Sequence, residues 1–484
     1  MAMSGAFCWP QSAGAGETVD LMISAPGPVE VRVVRQGGDD VEVLRERCAD
    51  VSPQAAEGVS VTGCDWPVTL RIVVDPAWPS GFYLVTVRAE DGSCVHAFFV
   101  VRAAKPGRAL FVLSTSTWAA YDDWGGPSFY TGGHLSSLRR PLPAGFLAKA
   151  DPLRWRIARI AEQARDDVRA FFAEHSFWCM AAGWANQELL FARWAEAQGL
   201  EFDYAVSQDL HAHGPALLDG HAAYVSVGHD EYWSAAMRDA VEDWVDDGGH
   251  AAFFSGNTAF WQIRFEAADS RIVGYKLALE EDPVFGTGEE RSLSTMWSDP
   301  LVGRPENAMT GVSFTRGGYA HMRNAPLGSG GYTLWRPEHW AFEGLDLRAG
   351  DLLGAEPVVV GYECDGCALT LRDGLPEPTG EDGTPAGFEV LGTAPAHLWE
   401  TAEGLASGLP DDYVGELNWV AERLAGADTD ANRRRFALGR AVLGTFERGR
   451  GAVFTTGCTD WAYGLDDAAV AQVTRNVLTR FGAV

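Results

Sequence analysis

The run GHDEYWS (228–234) follows an apolar stretch, AAYVSV (222–227), and puts His229, Asp230 and Glu231 at its tip. An i, i+2 pair just past a strand can point the same way, so His229 and Glu231 can face one crevice. An imidazole and a carboxylate converging there suit a metal-assisted hydrolytic site. The alternative is that Asp230 or Glu231 only complements the dipole of the helix that follows. Tyr121 and Tyr130 come after another apolar run, ALFVLST (109–115). A phenol becomes a hard oxygen donor when ferric iron lowers its pKa, and otherwise it is an aromatic wall. Asn257 follows HAAFFSG (250–256), where it could hydrogen-bond a substrate carbonyl or cap the next turn. Glu363, in GYECDG, ends an apolar run. A carboxylate partly buried there would have a raised pKa and could act as a general base; the alternative is a turn acid in an Asp-Gly loop.

Other patterns carry less. His211 and His213 have the spacing of a metal pair, but they follow SQDL in what reads as a polar surface loop. Cys364 and Cys367 form a single CxxC with no second pair. No GxSxG elbow or GxxxxGK[ST] loop occurs, so serine-hydrolase and P-loop chemistry lack their usual marks.

These residues need elements to hold them. Residues 17–104 alternate in β-branched and aromatic residues between turns, which predicts a small all-β sandwich of immunoglobulin or fibronectin type within a domain 1–104. From 105 to 484 the pattern changes. ALFVLST, NQELLFARWAEAQGL (186–200), FDYAVS (202–207), AAYVSV and HAAFFSG alternate strand and helix. Met237, Ala240, Val241, Trp244 and Val245 fall on one face of the helix after GHDEYWS, and Gly248 and Gly249 end it. That pattern predicts an α/β domain with a doubly wound, mostly parallel sheet, in which ligands bind beyond the carboxyl ends of the strands. Residues 265–400, rich in Gly and Pro, read as a β-rich insertion. The α/β pattern returns at RRRFALGRAVLGTF (433–446), GAVFTTG (451–457) and DAAVAQVTRNVLTRF (467–481).

Composition narrows the partners. Of 484 residues, 66 are acidic and 38 are Lys or Arg, a net charge of -28, so no basic face is available for nucleic acid or an anionic membrane surface. No stretch approaches the ~20 apolar residues of a membrane span. The N-terminus lacks the basic start and apolar core of a signal peptide. The eight scattered cysteines read as reduced thiols, which points to the cytoplasm.

STWAAYDDWGG, GHDEYWS, SGNTAFWQIR, HWAFEGLDLRAGD, GYECDG and VFTTGCTDWAYGL, in this order, resemble the catalytic region of the large subunit of N,N-dimethylformamidase and its relatives. The likeness runs from about residue 108 to the C-terminus. It implies hydrolysis of the C–N bond of a small amide at one ferric ion, Fe(III), held by two tyrosinates and a glutamate, on a glutamine-amidotransferase-like sheet. Carried over, the metal glutamate is Glu231 and the tyrosinates are Tyr121 and Tyr130. His229 lines the site, Asn257 binds the amide and Glu363 is the base. In relatives an aromatic often follows an Arg-Pro pair further on, where this chain has Arg140, Pro141 and Leu142. A homo-oligomer is expected; the family has a separate small subunit, a candidate partner here. The competing expectation, favoured by Leu142, is a non-catalytic ligand- or carbohydrate-binding protein on the same fold without metal.

Overall fold

The computed structural model describes residues 5–149, 165–318, 330–396 and 416–484. Among these, 5–149, 165–221 and 263–274 form one compact unit, and 222–262, 275–318, 330–396 and 416–484 form a second.

In the first unit, Gly5–Trp9, Thr18–Ser24 and Val68–Val73 make an antiparallel three-stranded sheet. Ser12–Ala13, Cys94–Val101, Gly81–Ala89, Val29–Gln36 and Val41–Cys48 make a five-stranded one. Alternate residues of both, among them Leu21, Ile23, Val31, Val33, Val85 and Phe99, share one buried core. The period-2 alternation of the sequence specifies this register, since a one-residue slip would turn every apolar side chain outward. Beyond it, Ala109–Leu113 pairs in parallel with Asp203–Val206. Helix Thr115–Tyr121 follows the first of these strands and helix Ser207–His213 the second.

In the second unit, Ala223–His229, His250–Gly256 and Gly451–Thr455 run parallel, in that order. Helix Ala235–Asp246 connects the first two and is capped by the Ser234 hydroxyl, which accepts from the Met237 N–H. It buries Met237, Ala240, Val241 and Val245, the stripe read from the sequence apart from Trp244.

The fold expected from the sequence needs correcting. The chain is β-rich, with mixed sheets and few helices, and is not a doubly wound, mostly parallel, glutamine-amidotransferase-like α/β fold. Next to Gly451–Thr455 lies Arg440–Arg448, antiparallel, then Glu389–Pro395 and Tyr332–Leu334, also antiparallel. Doubly wound sheets need a helical crossover between neighbouring strands. Here a tight turn with Gly449 in the left-handed region (φ 55°) folds one strand straight back on the next. Within the 265–400 stretch, Tyr332–Leu334 and Glu389–Pro395 extend the sheet that holds Arg440–Arg448. No described helix is long and apolar enough to cross a membrane.

Candidate active site

Three chain segments of the second unit end at one place. His229 closes strand Ala223–His229 and lies opposite Gly256, the last residue of His250–Gly256. The next residue, Asn257, has φ 49°, a left-handed conformation that asparagine tolerates better than most side chains. Glu363 directly precedes strand Cys364–Gly366. Its carbonyl accepts the Thr459 N–H at 3.0 Å, and the Asp365 N–H donates to the Gly457 carbonyl at 2.9 Å. The segments are laced together by Asp365, whose Oδ1 accepts the Asn257 N–H at 2.9 Å and whose Oδ2 accepts the Thr258 N–H at 3.0 Å.

The side chains that meet there are all buried. His229 Nε2 is 2.7 Å from Glu363 Oε2 and 3.3 Å from Glu231 Oε2. Asn257 Nδ2 donates to Glu363 Oε2 at 2.9 Å. Glu231 Oε1 accepts the Trp261 indole N–H at 2.7 Å. With a carboxylate on either side, His229 Nε2 carries the proton and donates it. The structure thus brings His229, Glu231, Asn257 and Glu363 into one cluster. Neither Asp230 nor Glu231 serves the helix dipole, since Ala235–Asp246 has no acid in its first turn and Asp230 instead accepts the Ser226 hydroxyl at 2.7 Å.

Burial pushes the Glu363 carboxyl up, but the charge on His229 and hydrogen bonds from His229, Asn257 and Tyr362 outweigh it and leave it below the ordinary value. The sequence reading had the sign reversed, because it counted burial and could not see the donors.

Lys276 belongs beside this cluster and was missed. It is buried, with Nζ 5.0 Å from the centre of the Trp261 ring and 5.8 Å from that of Tyr232. Burial lowers its pKa, against the charges of Glu231, Glu416 and Glu363. Glu416 was also missed. Burial pushes it up to about 7, opposed by Lys276 and reinforced by Glu363 and Glu231. The available signal was that Lys276 is one of only three lysines and sits between apolar residues in VGYKLAL.

Tyr121 and Tyr130 lie in the first unit. Tyr121 ends helix Thr115–Tyr121 and is buried, and its ring stacks on Tyr130 with centres 4.2 Å apart and planes 21° from parallel. Trp178 packs against both. Leu142 and Arg140 line a small cavity of the same unit, where Arg140 is ion-paired with Asp122 at 2.9 Å. His211 and His213 lie on helix Ser207–His213 rather than in a loop. His211 stacks on Phe265 and is 3.5 Å from Asp269, while His213 is exposed. All eight cysteines are free thiols. Among the described residues no group of three or more His, Cys, Asp and Glu side chains is placed to hold a metal.

A family model described as N,N-dimethylformamidase beta subunit-like, C-terminal, matches residues 30–475. The chain is 24% identical over 463 residues to the N,N-dimethylformamidase beta subunit of Alcaligenes sp and 23% identical over 463 residues to that of Paracoccus aminophilus. Each match covers 86% of this chain and 54% of the relative, so the chain spans about half the length of the curated relatives it matches. Among solved structures, a superoxide reductase (neelaredoxin) from Ignicoccus hospitalis matches with a TM-score of 0.14 and 10% identity, over 20% of this chain and 80% of that one. A likeness of that size carries no argument about fold.

Proposed function

The chain belongs to the N,N-dimethylformamidase beta subunit-like family, and from that premise we propose that it is a hydrolase of the C–N bond of a small amide. One observation carries the reading: His229 and Asn257 both donate to a single oxygen of a buried carboxylate, Glu363 Oε2. Those donors keep Glu363 ionised and fixed in direction, as a general base must be. Glu363 takes a proton from water as the oxygen–carbon bond forms, and gives it to the leaving nitrogen as the carbon–nitrogen bond breaks. Proton transfer of this kind contributes about 10²–10⁴-fold. His229 holds the base in place, and Lys276 supplies positive charge next to a cluster of carboxylates.

We propose Fe(III) as the cofactor, on the family resemblance and on the chemistry of carboxylate and phenol donors. Glu231 offers a buried carboxylate with one oxygen already fixed by Trp261, and Tyr121 and Tyr130 offer phenol oxygens. That these three are its ligands rests on the family resemblance, and when bound the ion would supply a Lewis acid that polarises the amide carbonyl. A homo-oligomer and a small second subunit are part of the same proposal, since the relatives are named as beta subunits. Cytoplasmic residence is a further part, resting on eight free thiols.

A second reading, a ligand- or carbohydrate-binding protein without metal, is favoured by the apolar Leu142 that follows Arg140 and Pro141. A panel of small amides assayed for amine release, with and without added iron, separates the two. Iron-dependent release supports the hydrolase, whereas no release from any amide, with or without added iron, supports the binder.

A further inference from the structure

Asn257 is held at both ends. Its backbone N–H donates to Asp365, and its side-chain Nδ2 donates to Glu363 Oε2 at 2.9 Å. A carboxylate presents only acceptors, so the nitrogen of this amide must face Glu363 and the oxygen must face away from it. One of the two Nδ2 hydrogens is therefore committed. The amide oxygen, Oδ1, is buried and has no hydrogen-bond partner among the described residues. His229 Nε2, 3.4 Å from Nδ2, is directed at the two carboxylates. Folded proteins rarely leave a buried amide oxygen unpaired, so this one calls for a donor.

An acceptor cannot bind a carbonyl oxygen or steady the negative charge that grows on it. The role expected for Asn257 from the sequence, holding the amide carbonyl, does not fit Oδ1, the atom left without a partner. Water does fit. Glu363 accepts from His229, Asn257 and Tyr362, three of the roughly four lone-pair positions of a carboxylate. One position is left for a water proton. A water that gives one proton to Glu363 and the other to Asn257 Oδ1 has both hydrogens engaged, and a lone pair is left to point at the substrate.

We propose that Asn257 Oδ1 holds and aims the attacking water, so that Asn257 is a catalytic residue for the nucleophile rather than for the carbonyl. This rests on the hydrolase reading above and deepens it. In the step itself, the water oxygen bonds to the carbonyl carbon, Glu363 removes one proton while Asn257 retains its hold on the other, and the carbon–nitrogen bond breaks as Glu363 returns its proton to the amine.

Two measurements on the full chain test it. The first is a crystal structure of the wild type and of Asn257→Ala at a resolution that shows ordered water. A water within hydrogen-bond distance of both Asn257 Oδ1 and Glu363, lost in the variant, is expected, and its absence from the wild type overturns the proposal. The second is hydrolysis of a small amide compared with its conversion to a hydroxamate by hydroxylamine, a nucleophile that does not depend on the water position. For Asn257→Ala, kcat for hydrolysis should fall about 10²-fold with KM within about twofold, a loss confined to the transition state. Hydroxamate formation should fall much less. Equal losses in both reactions, or a rise in KM alone, would mean that Asn257 binds the substrate and would overturn the proposal. If wild-type protein turns over no amide yet carries the bridging water, the hydrolase reading fails and the water position stands.

Discussion

His229 Nε2 lies 2.7 Å from Glu363 Oε2, closer than its 3.3 Å approach to Glu231. The imidazole therefore belongs first to the proposed base and second to the proposed metal carboxylate. This has a consequence for pH. Glu363 has its pKa depressed, so its base form persists to a pH below the ordinary glutamate value of about 4.3. The acidic limb of kcat/KM should lie below that value in the wild type. In His229→Gln the strongest lowering influence is gone, and the limb should move to higher pH. A profile with the same limb in both proteins would contradict the pairing.

Asp365 carries no expected chemistry of its own but fixes Asn257 and Thr258 through their backbone N–H groups. Asp365→Ala should free the turn and displace Asn257. A displacement of about 1 Å in a reacting group can cost about 10²-fold in rate. The expected result is a loss in kcat comparable to that of Asn257→Ala, with little further loss in the Asp365→Ala, Asn257→Ala double variant. Full additivity of the two substitutions would show that they act separately.

Arg140 and Asp122 form an ion pair buried in the first unit. Burial pushes Asp122 up to about 7, with Arg140 opposing. Removing one partner strands the other charge, so Arg140→Met should destabilise the protein by about 3–5 kcal/mol. Replacing both, as Asp122→Leu with Arg140→Met, should recover much of that loss. Denaturant unfolding of the three proteins measures it, and a single variant as stable as wild type would contradict the pair's role.

The positions of His229, Glu231 and Asn257 were legible because strand ends are marked by a change from apolar to polar residues. AAYVSV before GHDEYWS and HAAFFSG before GN showed where His229, Glu231 and Asn257 would stand. The parts that failed depend on partners distant in sequence. Arg440–Arg448 has apolar residues on both faces and reads like a strand of a parallel sheet, yet Gly449 turns it antiparallel to Gly451–Thr455. The direction of the Glu363 shift depended on donors 134 and 106 residues away in the chain, His229 and Asn257 (363−229 and 363−257). Asp365 lies in GYECDG and Lys276 is one of three lysines, but the part each plays is recognised only by what it touches.

Fe(III) as the cofactor is open to direct test by metal content. Protein loaded with iron should show a visible tyrosinate-to-iron absorption band. Glu231→Ala should lose the metal, while Tyr121→Phe and Tyr130→Phe should each weaken or abolish the band. Glu363→Gln should retain both metal and band, because Glu363 is engaged by His229 and Asn257 rather than assigned to the ion. A band unchanged in both tyrosine variants would remove them from the ligand set.

Amine release from a small formamide, measured for wild type and for Glu363→Gln at equal iron content, bears most directly on the role of Glu363. Turnover in the wild type with a fall of about 10²–10⁴-fold in the variant is expected of a general base. Equal rates in the two proteins, or turnover by neither, would contradict it.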